Sequence, residues 1–422
     1  MPMKILLYSA NFAPEPTGIG KYSGEMAAWL AGAGHEVRVV AAPPYYPDWA
    51  VAASHRGKWY SRETYQGAEV WRAPLWVPAR PTGLTRIVHL MTFAISSFPV
   101  ILRHAFWRPD VVLTVAPAFV CAPGGWLTAR VCGAKAWLHV QDFEIDVAFR
   151  LGLMKGKVLR WVVQALESWI FRRFDRVSTI SGRMMERALS KKVAEAAVVY
   201  FPNWVDIDHI RPLQHPSPYR KELGLPDDAV VALYSGSLGG KQGLMMLPQA
   251  AARLAHLKQL YFVICGDGVL KAELEAVCAD LPNTRLLPLQ PAERLSELLG
   301  MADIHLLPQS SGAEDMVMPS KLSGMLASGR PTIATCRAGT EIANVLAGCG
   351  VVVPPEDVEA FADAIAGLVA QPERRAVMGR QAREYVERHL SLDAVLSRIL
   401  GSLVTLSGEP PIPHWPTKSD VH

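Results

Sequence analysis

Residues 4–25 read KILLYSANFAPEPTGIGKYSGE, and residues 230–243 read VVALYSGSLGGKQG. In each, a short apolar run passes through a glycine-rich turn toward a helix-forming stretch. A strand that turns through glycine into a helix is the repeating unit of α/β layers built on a parallel sheet. Outward from these two stretches the pattern continues. The first half predicts strands at Lys4–Tyr8, Val37–Ala41, Asp110–Val115, Ala136–Val140, Arg176–Ile180 and Val198–Phe201. The second half predicts Val230–Ser235, Tyr261–Cys265, Arg285–Leu287, Ile304–Leu307, Thr332–Thr335 and Val351–Val353. Their apolar residues run almost without interruption, as in strands covered on both faces. The fold class is therefore α/β, with two Rossmann-like domains, 1–208 and 209–384. Between the two series, Pro202–Pro226 is rich in Pro, His, Asp and Asn and reads as a linker. Residues 385–406 continue as helix, and the proline-rich tail 407–422 is expected to be disordered.

The chain has 422 residues, half of them hydrophobic and 19% charged, which excludes disorder as the main state. Residues 1–208 hold 24 Lys/Arg against 16 Asp/Glu, although the whole chain is only +4. A basic half points to an acidic partner such as phosphate or phospholipid. Nucleic acid is not expected, because the basic residues are interleaved with apolar helix faces and form no dense stripe. The six cysteines (Cys121, Cys132, Cys265, Cys278, Cys336 and Cys349) show no C-x-x-C pair and no zinc spacing. Reduced thiols in a cytoplasmic protein are expected, and no signal pattern follows Lys4. The longest apolar run, Ile87–Leu102, falls short of the roughly 20 residues of a membrane span. It contains His89, two serines and Pro99 and predicts a buried helix.

Gly18 and Gly20 precede the first helix, where glycine lets the backbone approach an anion and the helix terminus offers N–H groups. The dinucleotide fingerprint G-x-G-x-x-G is incomplete at Ser23. After the second strand, APPYYPDW (Ala42–Trp49) forms a stiff aromatic loop at the edge where ligands bind open α/β sheets. HVQDFEID places His139, Asp142 and Glu144 at the end of another strand. A histidine there can position or deprotonate a hydroxyl near neutral pH. In the second half, YSGSLGGKQG adds Lys241 to a glycine turn, though not as a Walker A loop. CGDGVLK (Cys265–Lys271) repeats the layout, and Ser320 and Lys321 open a helix in MPSKLSGM. Three such turns suit a diphosphate by dipole and charge.

At these residues the chain resembles the WcaI/WbuB group of bacterial glycosyltransferases, retaining family-4-like enzymes of the GT-B fold. The matching stretches are TGIGKYSGEM, APPYYPDW, HVQDFEID, STISGRM, FPNWVD, YSGSLGGKQGL and PSKL. They run from the first strand to about Leu406. The resemblance implies an N-terminal acceptor domain, a C-terminal nucleotide-sugar domain and reaction in the cleft between them. It also implies a last helix, residues 385–406, that crosses back to the first domain. Transfer from a UDP- or GDP-sugar, fucose-type among the candidates, is expected without metal or other cofactor. Carried over by motif, Gly18, Gly20 and Gly266 lie near the donor, and Ser237, Lys241, Ser320 and Lys321 hold its diphosphate and ribose. Gln290 sits near the base. His139, with Asp142, contacts the transferred sugar or the acceptor. Tyr45, Tyr46 and Trp49 are expected on the acceptor side.

The chain departs from the family in one respect. Many relatives carry two glutamates eight positions apart, where this chain has Met316 and Gly324. Glu314 and Asp315 lie near the first but out of register. The helix 155–174, with basic ends, Trp161 and Trp169, suits a membrane surface. Together with Arg103 and Arg108 it predicts peripheral contact with the cytoplasmic face of the inner membrane and a polyprenyl-diphosphate-linked saccharide acceptor. Rival readings are a nucleotide-sugar epimerase or phosphorylase on the same plan, and an inactive binding scaffold.

Overall fold

The computed structural model describes residues 2–16, 18–116, 119–143, 157–240, 242–310 and 319–406. Lys241, Glu144, the segment 311–318 with Glu314, Asp315 and Met316, and the tail from 407 lie outside the described residues. The chain divides into two compact units. One contains the residues up to Pro202 and those from Leu396 onward, and the other is Asn203–Val395.

The first unit is built on an eight-stranded sheet: β1 (Lys4–Ser9), β2 (Glu36–Ala41), β3 (Ser61–Tyr65), β4 (Ala68–Arg72), β5 (Val111–Ala116), β6 (Lys135–Val140), β7 (Arg176–Thr179) and β8 (Val198–Tyr200). Its order is β3-β4-β2-β1-β5-β6-β7-β8, parallel throughout except for the β3–β4 hairpin. The second unit has six parallel strands: β9 (Val230–Ser235), β10 (Leu260–Cys265), β11 (Thr284–Leu287), β12 (Ile304–Leu307), β13 (Thr332–Thr335) and β14 (Gly350–Val353). Their order is β11-β10-β9-β12-β13-β14. Each of the twelve strands expected from the apolar runs is present within a residue or two of its expected ends. Central strands such as β5, β9 and β12 are buried at every position, which is why they read as unbroken hydrophobic runs.

The β3–β4 hairpin was not expected. It is an edge hairpin whose residues Arg62, Glu63, Glu69 and Arg72 interrupt the apolar pattern. Its turn uses positive φ at Gln66 (43°) and Gly67 (87°), the left-handed geometry that matches strand twist.

Two helical expectations also change. The C-terminal stretch is not one helix but two, Pro372–His389 and Leu392–Thr405. The break falls where the Leu390 carbonyl accepts the Val205 N–H at 2.9 Å. Ser391 then restarts the helix, its hydroxyl accepting the Ala394 N–H at 3.2 Å. The expected buried helix around Ile87–Leu102 runs Gly83–Arg103, started by a Thr82/Thr85 capping box. Only His89, Phe93, Ser97 and Ile101 are buried on it. The sheet covers one face and leaves the other in solvent. With its continuation to Trp107 the helix is also long and apolar enough to cross a membrane by length and composition. All six cysteines are free thiols.

Two histidines sit inside the sheets, His139 on β6 and His305 on β12. The Ser328 hydroxyl donates to the Met325 carbonyl at 2.6 Å. It can therefore accept from His305 Nε2 at 2.9 Å, which leaves His305 neutral with an unpartnered Nδ1. Burial pushes both histidines down to about 3. Below pH 6.5 the unfolded chain takes up these two protons and the folded chain does not, so stability falls as pH drops from 6.5 toward 3. Urea unfolding is expected to lose up to about 1.4 kcal/mol per pH unit for each histidine in this window. His305→Asn should flatten that slope relative to the parent protein.

Candidate functional site

In the first unit the loops at the C-terminal edge of the sheet are tied together by two buried charges. Glu15, in the turn after β1, accepts the N–H groups of Tyr45 and Tyr46 on Oε1, each at 3.1 Å. Its Oε2 accepts Asn11 Nδ2 at 3.0 Å. Burial pushes the Glu15 carboxyl above its ordinary range, while these donors and the Arg72 charge pull the other way. Arg72, buried at the end of β4, donates to the carbonyls of Ala42 at 2.8 Å and Ala13 at 2.5 Å. Its Nε reaches Glu63 Oε1 at 2.8 Å. The glycine turn after β1 and the aromatic loop after β2 therefore form one assembly. Sequence reasoning did not single out Glu15 or Arg72. Each is a lone charge in an apolar neighbourhood, and only the fold shows that both are buried.

This assembly separates the expected site residues. Gly20 is buried against Glu15: a Cβ there stands 2.4 Å from Glu15 Oε2. Its lack of a side chain makes room for the carboxylate. Gly18 is exposed, at φ 61°, with Tyr46 nearby. Tyr45 belongs to the core, its ring edge-on to His89 at 4.6 Å and to Trp49 at 5.8 Å. Trp49 is half-buried beneath the Arg86 guanidinium, 5.3 Å from the ring centre. Of the three aromatic residues, only Tyr46 is exposed.

His139 is buried near the end of β6, its ring 4.4 Å from that of Phe201. Its Nδ1 meets Ser178 Oγ at 2.9 Å, and its Nε2 meets the Gln141 side-chain nitrogen at 2.9 Å. Ser178 Oγ also accepts Trp137 Nε1–H at 2.7 Å. With the Gln141 amide donating, the proton sits on Nδ1. Both ring nitrogens are thus occupied, and the neutral ring is held in place rather than poised as a free base. Asp142 follows in an exposed position.

In the second unit the turns after β9 and β10 press backbone on backbone. Gly266 is buried at φ 156°, and a Cβ there meets the Gly236 carbonyl oxygen at 1.9 Å. Leu238 N–H reaches the Asp267 carbonyl at 2.8 Å, and Leu270 N–H reaches that of Leu238 at 3.0 Å. Gly266 thus joins the two turns, while Ser237 is exposed on the first of them. Tyr234 Oη donates to the Ser237 carbonyl at 2.6 Å.

Lys321 reaches over Tyr234 from the helix Ser320–Ala327. Its Nζ is 3.2 Å from Tyr234 Oη and 4.4 Å from the ring centre, beside Gly236. No carboxylate pairs with it among the described residues, and burial pushes its ammonium down to about 8. Ser320 is exposed at the same helix start, which has no side-chain cap. Gln290 is engaged on both amide atoms, accepting from Tyr219 Oη at 2.8 Å and donating to the Pro288 carbonyl at 2.8 Å. Gly324 faces Leu299 and Ile210, whose terminal carbons lie 3.3 and 3.6 Å from a Cβ built there. Among the described residues no group of three or more His, Cys, Asp or Glu is placed to hold a metal ion.

The chain matches two family models. The glycosyl transferase 4-like domain covers residues 17–204, and glycosyl transferases group 1 covers residues 217–385. Over 95% of its length it is 42% identical to the putative colanic acid biosynthesis glycosyl transferase WcaI of Escherichia coli K12, all of which is covered. Its fold is similar to sucrose-phosphate synthase from Thermosynechococcus elongatus, with a TM-score of 0.69 and 18% identity over 96% of this chain and 99% of that one. It is also similar to Anabaena HepE in complex with UDP, with a TM-score of 0.66 and 15% identity over 96% of this chain and all of that one.

The glycine contacts predict an order of damage. Gly266→Ala and Gly20→Ala each place a methyl group inside a van der Waals contact and are expected to cost about 2 kcal/mol or more. Gly18→Ala meets only the Tyr46 ring at 4.0 Å and is expected to cost the left-handed backbone strain, about 1 kcal/mol. Thermal midpoints of the three variants check this order.

Proposed function

This chain belongs to the family of bacterial glycosyltransferases that includes E. coli WcaI, and from that premise we propose that it moves a sugar from a nucleotide-sugar donor to a lipid-linked or saccharide acceptor in exopolysaccharide assembly. Its two α/β units of parallel sheet are of the GT-B fold class. The observation that carries the donor assignment is Lys321: a desolvated ammonium, without a carboxylate partner among the described residues, beside a glycine turn and at an uncapped helix start. Helix N–H groups and a point charge at one spot are what a diphosphate needs. HepE, solved with UDP, supports a nucleoside diphosphate as the bound group. GDP- and UDP-sugars are the candidate donors, fucose-type sugars among them.

Breaking the sugar–phosphate bond builds negative charge on the leaving diphosphate. Lys321 and the N–H groups of Ser320 and Lys321 stabilise that charge where it develops. Lys241 and Ser237 are assigned to the same group. The acceptor hydroxyl attacks from the face the diphosphate leaves and passes its proton to the departing phosphate oxygen, which retains configuration. This route needs no pair of carboxylates, unlike glycoside hydrolysis. It uses no metal, because protein groups supply the positive charge.

His139, neutral and fixed through Ser178, orients a sugar hydroxyl once Gln141 yields its place, with Asp142 beside it. Gly18 and Tyr46 are exposed in the first unit's loop assembly and are assigned to substrate contact. The helix Lys157–Phe171 exposes Val158, Trp161, Leu166 and Trp169. This supports peripheral contact with the cytoplasmic face of the inner membrane and a polyprenyl-diphosphate-linked acceptor.

Calorimetric titration with UDP- and GDP-sugars, followed by transfer assays on lipid-linked acceptors, tests the assignment. Lys321→Ala is expected to lower kcat/KM by about a hundredfold, the scale of one lost electrostatic donor. Unchanged turnover in that variant removes Lys321 from the diphosphate site, and binding without transfer to any acceptor returns the scaffold reading. The pH dependence is a second check. Raising the pH through about 8 discharges the empty-site ammonium, so diphosphate affinity is expected to fall above that value. Lys321→Arg, charged throughout, should abolish this dependence on pH.

A further inference from the structure

The helix Gly83–Arg103 carries an apolar stripe that none of the described residues covers. Leu84, Val88, Met91, Ile95 and Phe98 recur at intervals of three and four and so lie along one face. Leu84 is 72% exposed and Ile95 68%. Phe106, beyond the helix, is 91% exposed. From Leu84 to Phe98 the stripe extends about 20 Å at the rise of an α-helix. The opposite face is committed to the core through Phe93 and Ile101, and Ser97 Oγ lies 2.6 Å from Tyr8 Oη. The helix therefore presents one side outward without leaving the sheet.

Along the chain, the segment that carries the stripe has charge of one sign. From Val70 to Pro109 the chain holds five arginines and no Asp, Glu or Lys. Arg72 is buried, and Arg80, Arg86, Arg103 and Arg108 are exposed. Where the helix ends, a cavity of about 380 Å³ opens, lined by Arg38, Arg62, Arg103, Trp71, His104 and Trp107. Glu69 is the carboxylate on its wall, shared by Arg62 at 2.7 Å and Arg38 at 3.4 Å. Arg38 stacks on Trp107 at 4.4 Å, and Arg103 lies over Trp71 at 5.4 Å. His104 bonds the Val100 carbonyl through Nδ1 at 2.8 Å, while its Nε2 is buried without a partner. Three guanidiniums held on indole faces, with one carboxylate among them, form a site for a phosphate oxyanion.

We propose that the Gly83–Arg103 helix lies in the surface plane of a bilayer and that the arginine–tryptophan cavity at its end receives the headgroup phosphate of an anionic phospholipid. The inference rests on the membrane contact proposed above and assigns it a second element and a headgroup site. Stripe and cavity meet at Arg103–Trp107, so one amphiphile occupies both: acyl chains along Ile95 and Phe98, phosphate among the arginines. A free phosphate uses only the cavity. A second copy of this chain brings the same basic half, which is like-charged and opposes docking.

The test is cosedimentation of the full chain with phosphatidylcholine vesicles, with and without phosphatidylglycerol. The parent protein is expected to bind the anionic vesicles more tightly. Arg103→Ala should weaken anionic binding about fivefold, the effect of one arginine near a charged surface, and leave neutral binding unchanged. Ile95→Asp should weaken both about tenfold, with circular dichroism confirming an intact fold. Trp161→Glu, on the Lys157–Phe171 helix, probes the parent reading separately. If only Trp161→Glu releases the protein, the present inference is overturned and membrane contact stands. If the parent protein binds no vesicle, both fall. If Ile95→Asp instead converts a dimer to a monomer by light scattering with vesicle binding intact, the stripe belongs to a second copy. If inorganic phosphate binds the cavity in calorimetry while Arg103→Ala leaves vesicle binding intact, the ligand is a free anion. Either of these last results overturns the proposal.

Discussion

In the first unit, the buried carboxylate of Glu15 holds two backbone N–H groups of the aromatic loop and a side-chain amide of its own turn. Arg72 supplies the complementary half, taking up carbonyls that the same two loops leave at the sheet edge. Parallel strands end together, and their following turns leave polar backbone groups that need partners away from water. A charged side chain satisfies two or three such groups at once. It is stable there only because the opposite charge and the donors lie within hydrogen-bond reach. The spacing of the exposed Gly18 and Tyr46, and the burial of Gly20 and Tyr45, follow from this pair.

The second unit meets the same requirement largely through its backbone. Gly236, Gly266 and Gly268 let the turns after β9 and β10 approach until their carbonyls and N–H groups pair directly. Ser237, Asp267 and Val269 are exposed on these turns, and Lys321 lies beside Gly236. Burial lowers the proton affinity of that lysine, because its charge has lost part of its hydration. Gly324 packs against the apolar side chains of Leu299 and Ile210.

His139 shows how a plausible motif is altered by its surroundings. At the end of a strand a histidine suggests proton transfer. In place, both nitrogens are bonded and burial keeps the ring neutral through the physiological range. Ser178, itself bonded to Trp137, fixes the direction of the ring.

The α/β class, the twelve parallel strands and the glycine turns were legible in the sequence. Two-sided burial forces continuous apolar runs, and left-handed or crowded turns force glycine. Those are local requirements, and each leaves its mark at its own position. The edge hairpin, the Glu15–Arg72 pair and the exposed stripe on the Gly83–Arg103 helix were decided only by tertiary structure. In each case the deciding fact is a neighbour far away in sequence. Ala42 lies 30 residues from Arg72, and Tyr45 lies 30 from Glu15. The helix is half-exposed because the sheet covers one face, which its near-uniform hydrophobicity does not reveal. A residue's type records what it needs, and the fold determines which needs are met inside the protein and which are left for a ligand or a surface.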